Sequence, residues 1–363
     1  MKKKYLTRVI RLATPFAIGV GSIPFLVVPA TAQQVGSASL SSGSAEVRSS
    51  VPVPSNEIKA AHPWRIAFVP KFKFLGETGA LSSYWQPAWE GAQKAGADFN
   101  VTVRLVTSNI LGSSDPDYVE PQIRLIADLI AKGVTDGLVV APFDSNRLAP
   151  VLEKAVQAGI SVVSMDTPVN SDRLLTAVAF DNFKAGRDLG AWVVRRLRAK
   201  GNALILDGPQ HQQNAVDRRN GFLAGLDTGN IKVLNIKSAD WEVGTARSIT
   251  ENWLEIYPDV EVIMAANDNM AIGAAQAVAA AHRYGILITG FDATDAALEA
   301  VRTGQIAATV DQTPDQQARL AIQILVRHLE TGENFAPVVY LQGASLVTAE
   351  NVGSYLSHKE LKK

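Results

Sequence analysis

Residues 138–168 read LVVAPFDSNRLAPVLEKAVQAGISVVSMDTP, and residues 262–294 read VIMAANDNMAIGAAQAVAAAHRYGILITGFDAT. Each stretch opens with a short apolar run, reaches an Asp, passes through a helical segment, enters a second apolar run and ends on another Asp. The acids are Asp144 and Asp166 in the first stretch and Asp268 and Asp292 in the second. Short apolar runs bounded by polar turns are the pattern of strands buried on both faces. A helix between two such strands makes a βαβ unit, with a right-handed crossover. The near-repeat predicts two halves built alike, each placing acids after matching strands.

The pattern extends in both directions. Residues 65–69, 101–106, 138–140, 160–165 and 175–179 read as strands, and so do 203–206, 233–236, 262–265, 286–289 and 307–310. Helical spacing lies between most of them; Trp89, Ala92, Gly96 and Phe99 share one face. So many strands exceed one comfortable twisted sheet. The predicted fold class is therefore α/β, with two similar lobes, each a parallel doubly wound sheet.

Composition narrows the function. The 363 residues exceed the roughly 100–200 of one domain. A hydrophobic fraction of 47% with 19% charged residues excludes a disordered or fibrous chain. Lys and Arg total 35 and Asp and Glu total 35, so no bulk basic charge points to nucleic acid. The absence of cysteine excludes a disulfide scaffold, a thiolate metal site and a cysteine nucleophile. Residues 1–32 carry Lys2, Lys3, Lys4, Arg8 and Arg11 and no acid, so the rest of the chain is net acidic. An apolar stretch from Leu12 to Val28 and Ala30-Thr31-Ala32 follow, the layout of a secretory signal peptide. The alternative is a membrane anchor, but Pro15 and Pro24 interrupt a stretch shorter than the roughly 20 residues of a span. Residues 33–62, rich in Ser, Gly, Val and Pro, read as a flexible leader outside the fold.

In parallel α/β sheets, ligands bind beyond the carboxyl ends of the strands. The residues there are Tyr84-Trp85 after a long first loop, Asp166-Thr167, Asp240-Trp241, Asn267-Asp268, Asp292 and Asp311-Gln312. Acids, amides and aromatics together suit a neutral polyhydroxylated ligand. Planar carboxylates and carboxamides hold hydroxyls in fixed geometry, and indole rings stack on the apolar C–H face of a sugar. For Trp85 and Trp241 core packing is the second reading. Asp268 opens a helix and reads as its N-cap, as does Asp181, with Asn182 at a hinge. His211 reads as a solvated loop residue first and a ligand contact second. The cluster Arg195, Arg196, Arg198 and Lys200 complements a helix C-terminus. Catalytic motifs are thin: H-E-x-x-H, G-x-S-x-G, the P-loop and a G-x-G-x-x-G after a strand are all missing. Asp166 and Asp292 as a hydrolytic pair would need a separation that a sequence does not give. The expectation is a binding protein rather than an enzyme, with no cofactor and no metal.

Several segments together resemble the type I periplasmic binding proteins, the ribose-binding-like solute receptors of bacterial ABC transporters. They are Tyr84-Trp85 before WEGAQKAG, SMDTP at Asp166, AFDNFKAG at Asp181, NAVDRRNGF at 214–222, SADW at Trp241, AANDNMAIGA at Asn267, TGFDAT at Asp292 and ATVDQTPDQ at Gln312. The resemblance implies two lobes joined by three strands, with crossings near Phe180, Thr313 and Val338. The implied division is 63–179 plus 313–337 for the first lobe, 180–312 plus 338–353 for the second, and 354–363 as a tail. The implied ligand residues are Tyr84, Trp85, Asp166, Asn214, Trp241, Asn267, Asp292 and Gln312. A periplasmic monomer that delivers a small solute to an inner-membrane ABC permease is implied too. A sensing module for a histidine kinase or chemoreceptor would use the same cleft. The chain departs from the family in three places: the first loop, with LGETGALSS, is longer, Thr167 stands where an Arg follows the first Asp, and a second Arg is missing at 214–216. These losses argue against ribose and for another sugar or a polyol, with a small amine second because a ring face plus a carboxylate suits a cation.

Overall fold

The computed structural model of the protein describes residues 58–71, 82–107, 119–341 and 345–361; the expected signal segment, most of the leader and most of the first loop lie outside the described residues. Alternation within one strand sets the architecture. In β1 (Arg65–Val69), Ile66 and Phe68 face one layer of helices, and Ala67 and Val69 face the other. Successive side chains of a strand point opposite ways, so a run that is apolar throughout needs cover on both faces. α1 (Trp85–Phe99) covers the first face with Ala88, Ala92, Ala95 and Phe99. α2 (Val119–Lys132) and α3 (Ala149–Gln157) cover the second with Ile126, Leu129 and Leu152. β2 (Thr102–Leu105), β3 (Gly137–Val140), β4 (Ser161–Asp166) and β5 (Thr176–Phe180) continue this sheet.

After β5 the chain builds a second lobe with the same alternation. It comprises α4 (Asn182–Arg196), β6 (Lys200–Asp207), α5 (Gln213–Leu226), β7 (Asn230–Ser238), α6 (Val243–Ile256), β8 (Val262–Ala265), α7 (Asp268–Ala280), β9 (Leu287–Thr289), α8 (Asp295–Arg302) and β10 (Ala308–Asp311). α9 (Pro314–Thr331) then returns to the first lobe and buries Ala318, Ile322 and Leu325 there. β11 (Val338–Leu341), β12 (Ser345–Thr348) and α10 (Val352–Leu361) close the described chain. One sheet runs β2-β1-β3-β4-β5-β11 and the other β7-β6-β8-β9-β10-β12. The winding is the same in both, as the near-repeat predicts. The pairs are parallel except β12, which lies antiparallel to β10.

Three expectations are corrected. The last crossing falls between Leu341 and Ser345 rather than near Val338, because β11 pairs in parallel with β5 and buries Val339 in the first lobe. The leader does not stay outside the fold up to residue 62: Ala60 is buried, and its amide donates to the Phe99 carbonyl at 2.9 Å. Residues 354–361 are not a tail but part of α10, whose Tyr355 and Leu356 pack on the second-lobe core.

One packing detail positions the cleft. α4 and α5 approach until their backbones touch, and an added Cβ on Gly225 would lie 2.3 Å from the Arg187 carbonyl oxygen. This contact holds α5, which carries Asn214 and Arg218, against α4.

Candidate functional site

Strand ends from both lobes deliver side chains to one cavity of about 160 Å³. Lys71 follows β1, Asp166 ends β4, Asn267 follows β8, Asp292 follows β9 and Gln312 follows β10. All eight side chains singled out from the sequence, Tyr84, Trp85, Asp166, Asn214, Trp241, Asn267, Asp292 and Gln312, line it. His211 does not line it; its carbonyl instead accepts the Ser145 amide across the lobes at 3.2 Å.

Asp166 is the centre of the first-lobe wall. Its Oδ1 accepts the Tyr84 hydroxyl at 2.9 Å. Its Oδ2 accepts Lys71 Nζ at 3.0 Å and Asn214 Nδ2 at 3.3 Å. Burial opposes the charge, but Lys71 and Arg218 prevail and hold the carboxyl below the usual range. The buried Lys71 is pushed down by desolvation, which Asp166 offsets in part. Burial and then Asp166 push the Tyr84 hydroxyl well up, so it stays a donor.

Arg218 organises the second-lobe wall. Its Nε donates to Asn182 Oδ1 at 2.8 Å, its Nη1 to the Ala266 carbonyl at 2.8 Å and its Nη2 to Gln312 Oε1 at 2.8 Å. It pairs with Asp292 at 3.5 Å, and Gln312 Nε2 donates to the same carboxylate. Burial, against the pull of Arg218, pushes Asp292 well above the ordinary carboxylate range. The guanidinium also lies 4.2 Å from the Phe291 ring centre and 5.6 Å from that of Trp241.

The backbone is strained around this cavity. Asp166 (φ 66°), Trp241 (φ 65°) and Asp292 (φ 119°) are non-glycine residues with positive φ, and so are Asp240, Ala293 and Thr313 beside them. Such conformations cost on the order of 1–3 kcal/mol each and cluster at ligand clamps.

Asn267, not Asp268, caps α7: its extended backbone lets Oδ1 accept the Met270 amide at 2.9 Å. Asp268 turns inward, where it accepts the Thr294 amide at 2.7 Å and the Thr309 hydroxyl at 2.6 Å. Asp181 caps α4 by accepting the Lys184 amide at 3.0 Å.

Sequence reasoning missed Lys71, Gln212 and Arg218. Two of these are cations, so the cavity holds positive charge from positions other than those of the two family arginines. Lys71 reaches Thr167 Oγ1 at 2.5 Å, beside the place where the family's first Arg would start. Arg218 enters α5 just after the 214–216 segment expected to lack one. Its signal was the NAVDRRNGF motif itself.

The family model described as a periplasmic binding protein domain matches residues 74–334, more than two thirds of the chain. The chain belongs to this family. The D-ribose/D-allose-binding protein of Pseudomonas aeruginosa is 34% identical to this periplasmic binding protein over 247 residues, 66% of this chain and 77% of that one. The D-allose-binding periplasmic protein of Escherichia coli is 29% identical over 282 residues, 74% of this chain and 90% of its own. A crystal structure of an ABC transporter periplasmic solute-binding protein from Actinobacillus succinogenes, with bound D-allose, matches with a TM-score of 0.71 and 29% identity, over 80% of this chain and 99% of that one. No helix among the described residues is long and apolar enough to cross a membrane.

Proposed function

We propose that this periplasmic binding protein is an exported receptor for one neutral monosaccharide or polyol, which it delivers to an ABC permease as a monomer. The charge balance of the cleft carries the reading. Two cations, Lys71 and Arg218, face the largely buried carboxyl groups of Asp166 and Asp292, each with a cation within 3.5 Å, while the third lining acid, Glu242, is exposed. A cationic amine would find both of these carboxyl groups already facing a cation, so this pairing speaks against the amine. A neutral ligand can bridge these groups, because a hydroxyl both donates and accepts. In this reading Trp85 and Trp241 stack on ring C–H faces, Asp166 and Asp292 accept hydroxyls, and Asn214, Asn267 and Gln312 fix orientation. The volume of about 160 Å³ is close to the roughly 150 Å³ of a cavity that takes one benzene-sized guest, so there is room for a single ring. Because Lys71 and Arg218 bring two cations to the cleft, ribose belongs among the candidates, as does allose.

A thermal-shift panel of D-ribose, D-allose, D-apiose, myo-inositol and choline tests this. A sugar at 100 times its dissociation constant stabilises by about 2.7 kcal/mol, a shift of several degrees. A response to choline alone, or to none of the sugars and myo-inositol, overturns the reading.

A further inference from the structure

We infer that Gln212 is a positioning residue that ties closure of the two lobes to the orientation of Trp241; the inference rests on the reading of the cleft as a sugar site. Gln212 lies in the loop between β6 and α5 and is 3% exposed. Its Oε1 accepts two donors at once. Lys71 Nζ arrives from the first lobe at 3.0 Å, and Trp241 Nε1 arrives from its own lobe at 3.1 Å. A carboxamide oxygen has two lone pairs, so both donors are served. The same ammonium is held in its own lobe by Asp166 at 3.0 Å and Thr167 at 2.5 Å. A continuous hydrogen-bonded path therefore runs from Asp166 through Lys71 and Gln212 to the indole.

Two further contacts of Trp241 lie within its own lobe. One edge of its ring rests on Gly208, where an added Cβ would lie 2.2 Å from Cη2. Arg218 approaches the ring from within the same lobe, and the positive φ of Asp240 (53°) and Trp241 (65°) aims the side chain. These features choose where the indole sits. Gln212 adds the contact that depends on the opposite lobe. When the lobes part, Lys71 withdraws and Gln212 keeps only the indole; when they close, Lys71 fixes the carboxamide and the carboxamide fixes the ring. The stacking face is thus completed by closure.

The test uses Gln212→Met, which keeps the length but removes the acceptor, and Gln212→Glu, which keeps an acceptor. In the ligand-free protein, the Trp241 indole N–H resonance, assigned by its absence in Trp241→Phe, moves upfield in Gln212→Met and much less in Gln212→Glu. An unmoved resonance in Gln212→Met overturns the inference, whether or not any sugar binds. Calorimetry with D-ribose and D-allose supplies the second reading. Gln212→Met weakens the tighter of the two at least about fivefold in the otherwise unchanged protein, because the orphaned indole N–H loses its partner. In the Trp241→Phe background, which has no N–H, the same substitution costs less than about twofold. Equal losses in both backgrounds would mean that Gln212 acts without Trp241, which overturns the inference. If neither sugar binds the unsubstituted protein, ribose and allose leave the list of candidates, and the ligand-free resonance still decides the role of Gln212.

Discussion

Arg218 in the second lobe and Lys71 in the first are both buried cations facing the same cavity, at 2% and 8% exposure. They are held in opposite ways. The guanidinium spends its donors at home: Asn182 begins α4, Ala266 follows β8, and Asp292 and Gln312 follow β9 and β10. The ammonium has two partners at home and its third, Gln212, across the cleft. The second-lobe wall is therefore complete before the lobes meet, and the first-lobe wall is completed by the meeting. Two sheets wound alike carry different duties because the groups at their strand ends are bonded differently.

The largest effect tests that difference. Arg218→Met leaves Asp292 buried without its cation and takes a donor from three oxygen acceptors, on Asn182, Ala266 and Gln312, so it should cost the ligand-free protein about 3–5 kcal/mol. Lys71→Met should cost about 1–3 kcal/mol, since Asp166 keeps Tyr84, Thr167 and Asn214 as donors. Urea unfolding of both variants measures this, and equal costs would break the contrast.

The acids of the two lobes should tilt the pH dependence of stability in opposite directions. Burial pushes Asp268 up to about 6, above its ordinary 3.8. The folded protein then holds this proton more tightly than the unfolded chain. Its contribution is complete below about pH 3.8 and is lost as pH rises through about 6. Two units correspond to about 3 kcal/mol. Asp166 lies below its ordinary value, so its contribution is present above about pH 3.8 and is lost as pH falls through the lowered value. Asp268→Asn should flatten the decline between pH 4 and 7, and Asp166→Asn should flatten the loss at lower pH. Slopes that change in the same direction for both would show that the lobes do not differ in this respect.

The same contrast explains what the sequence discloses. Asp166, Asp292 and Trp241 are legible because each follows a short apolar run, and a strand end in a doubly wound sheet can be read without coordinates. Lys71 is not, because Lys-Phe-Lys at 71–73 reads like any solvated loop, and the burial of one Lys depends on a partner across the chain. Arg218 is half legible: its motif stands out, but helical phase decides which of Arg218 and Arg219 faces the cleft. Arg218 turns inward, and Arg219 pairs with Asp207 at 3.3 Å. In Asn267-Asp268-Asn269 every residue is a good cap, and only the backbone conformation chooses Asn267. β11 escaped because a four-residue strand added to a sheet edge has no period of its own.

The smallest effect concerns how the second-lobe wall is kept rigid. Arg218 on α5 reaches Asn182 on α4, and that bond spans the interface where the two backbones touch. Gly225 permits the contact, since a Cβ there would meet the Arg187 carbonyl oxygen at 2.3 Å and Gly190 Cα at 2.7 Å, and neither is the yielding end of a side chain. Gly225→Ala must push the helices apart, at about 1–3 kcal/mol, the usual range for overpacking. Gly244 in α6 is the control, with nothing within 4 Å of an added Cβ. Gly244→Ala should stabilise by about 0.5–1 kcal/mol, because a helical glycine loses more backbone entropy than alanine. If Gly225→Ala also stabilised, the α4–α5 contact would be ordinary helix packing, and the rigidity of the Arg218 wall would need another source.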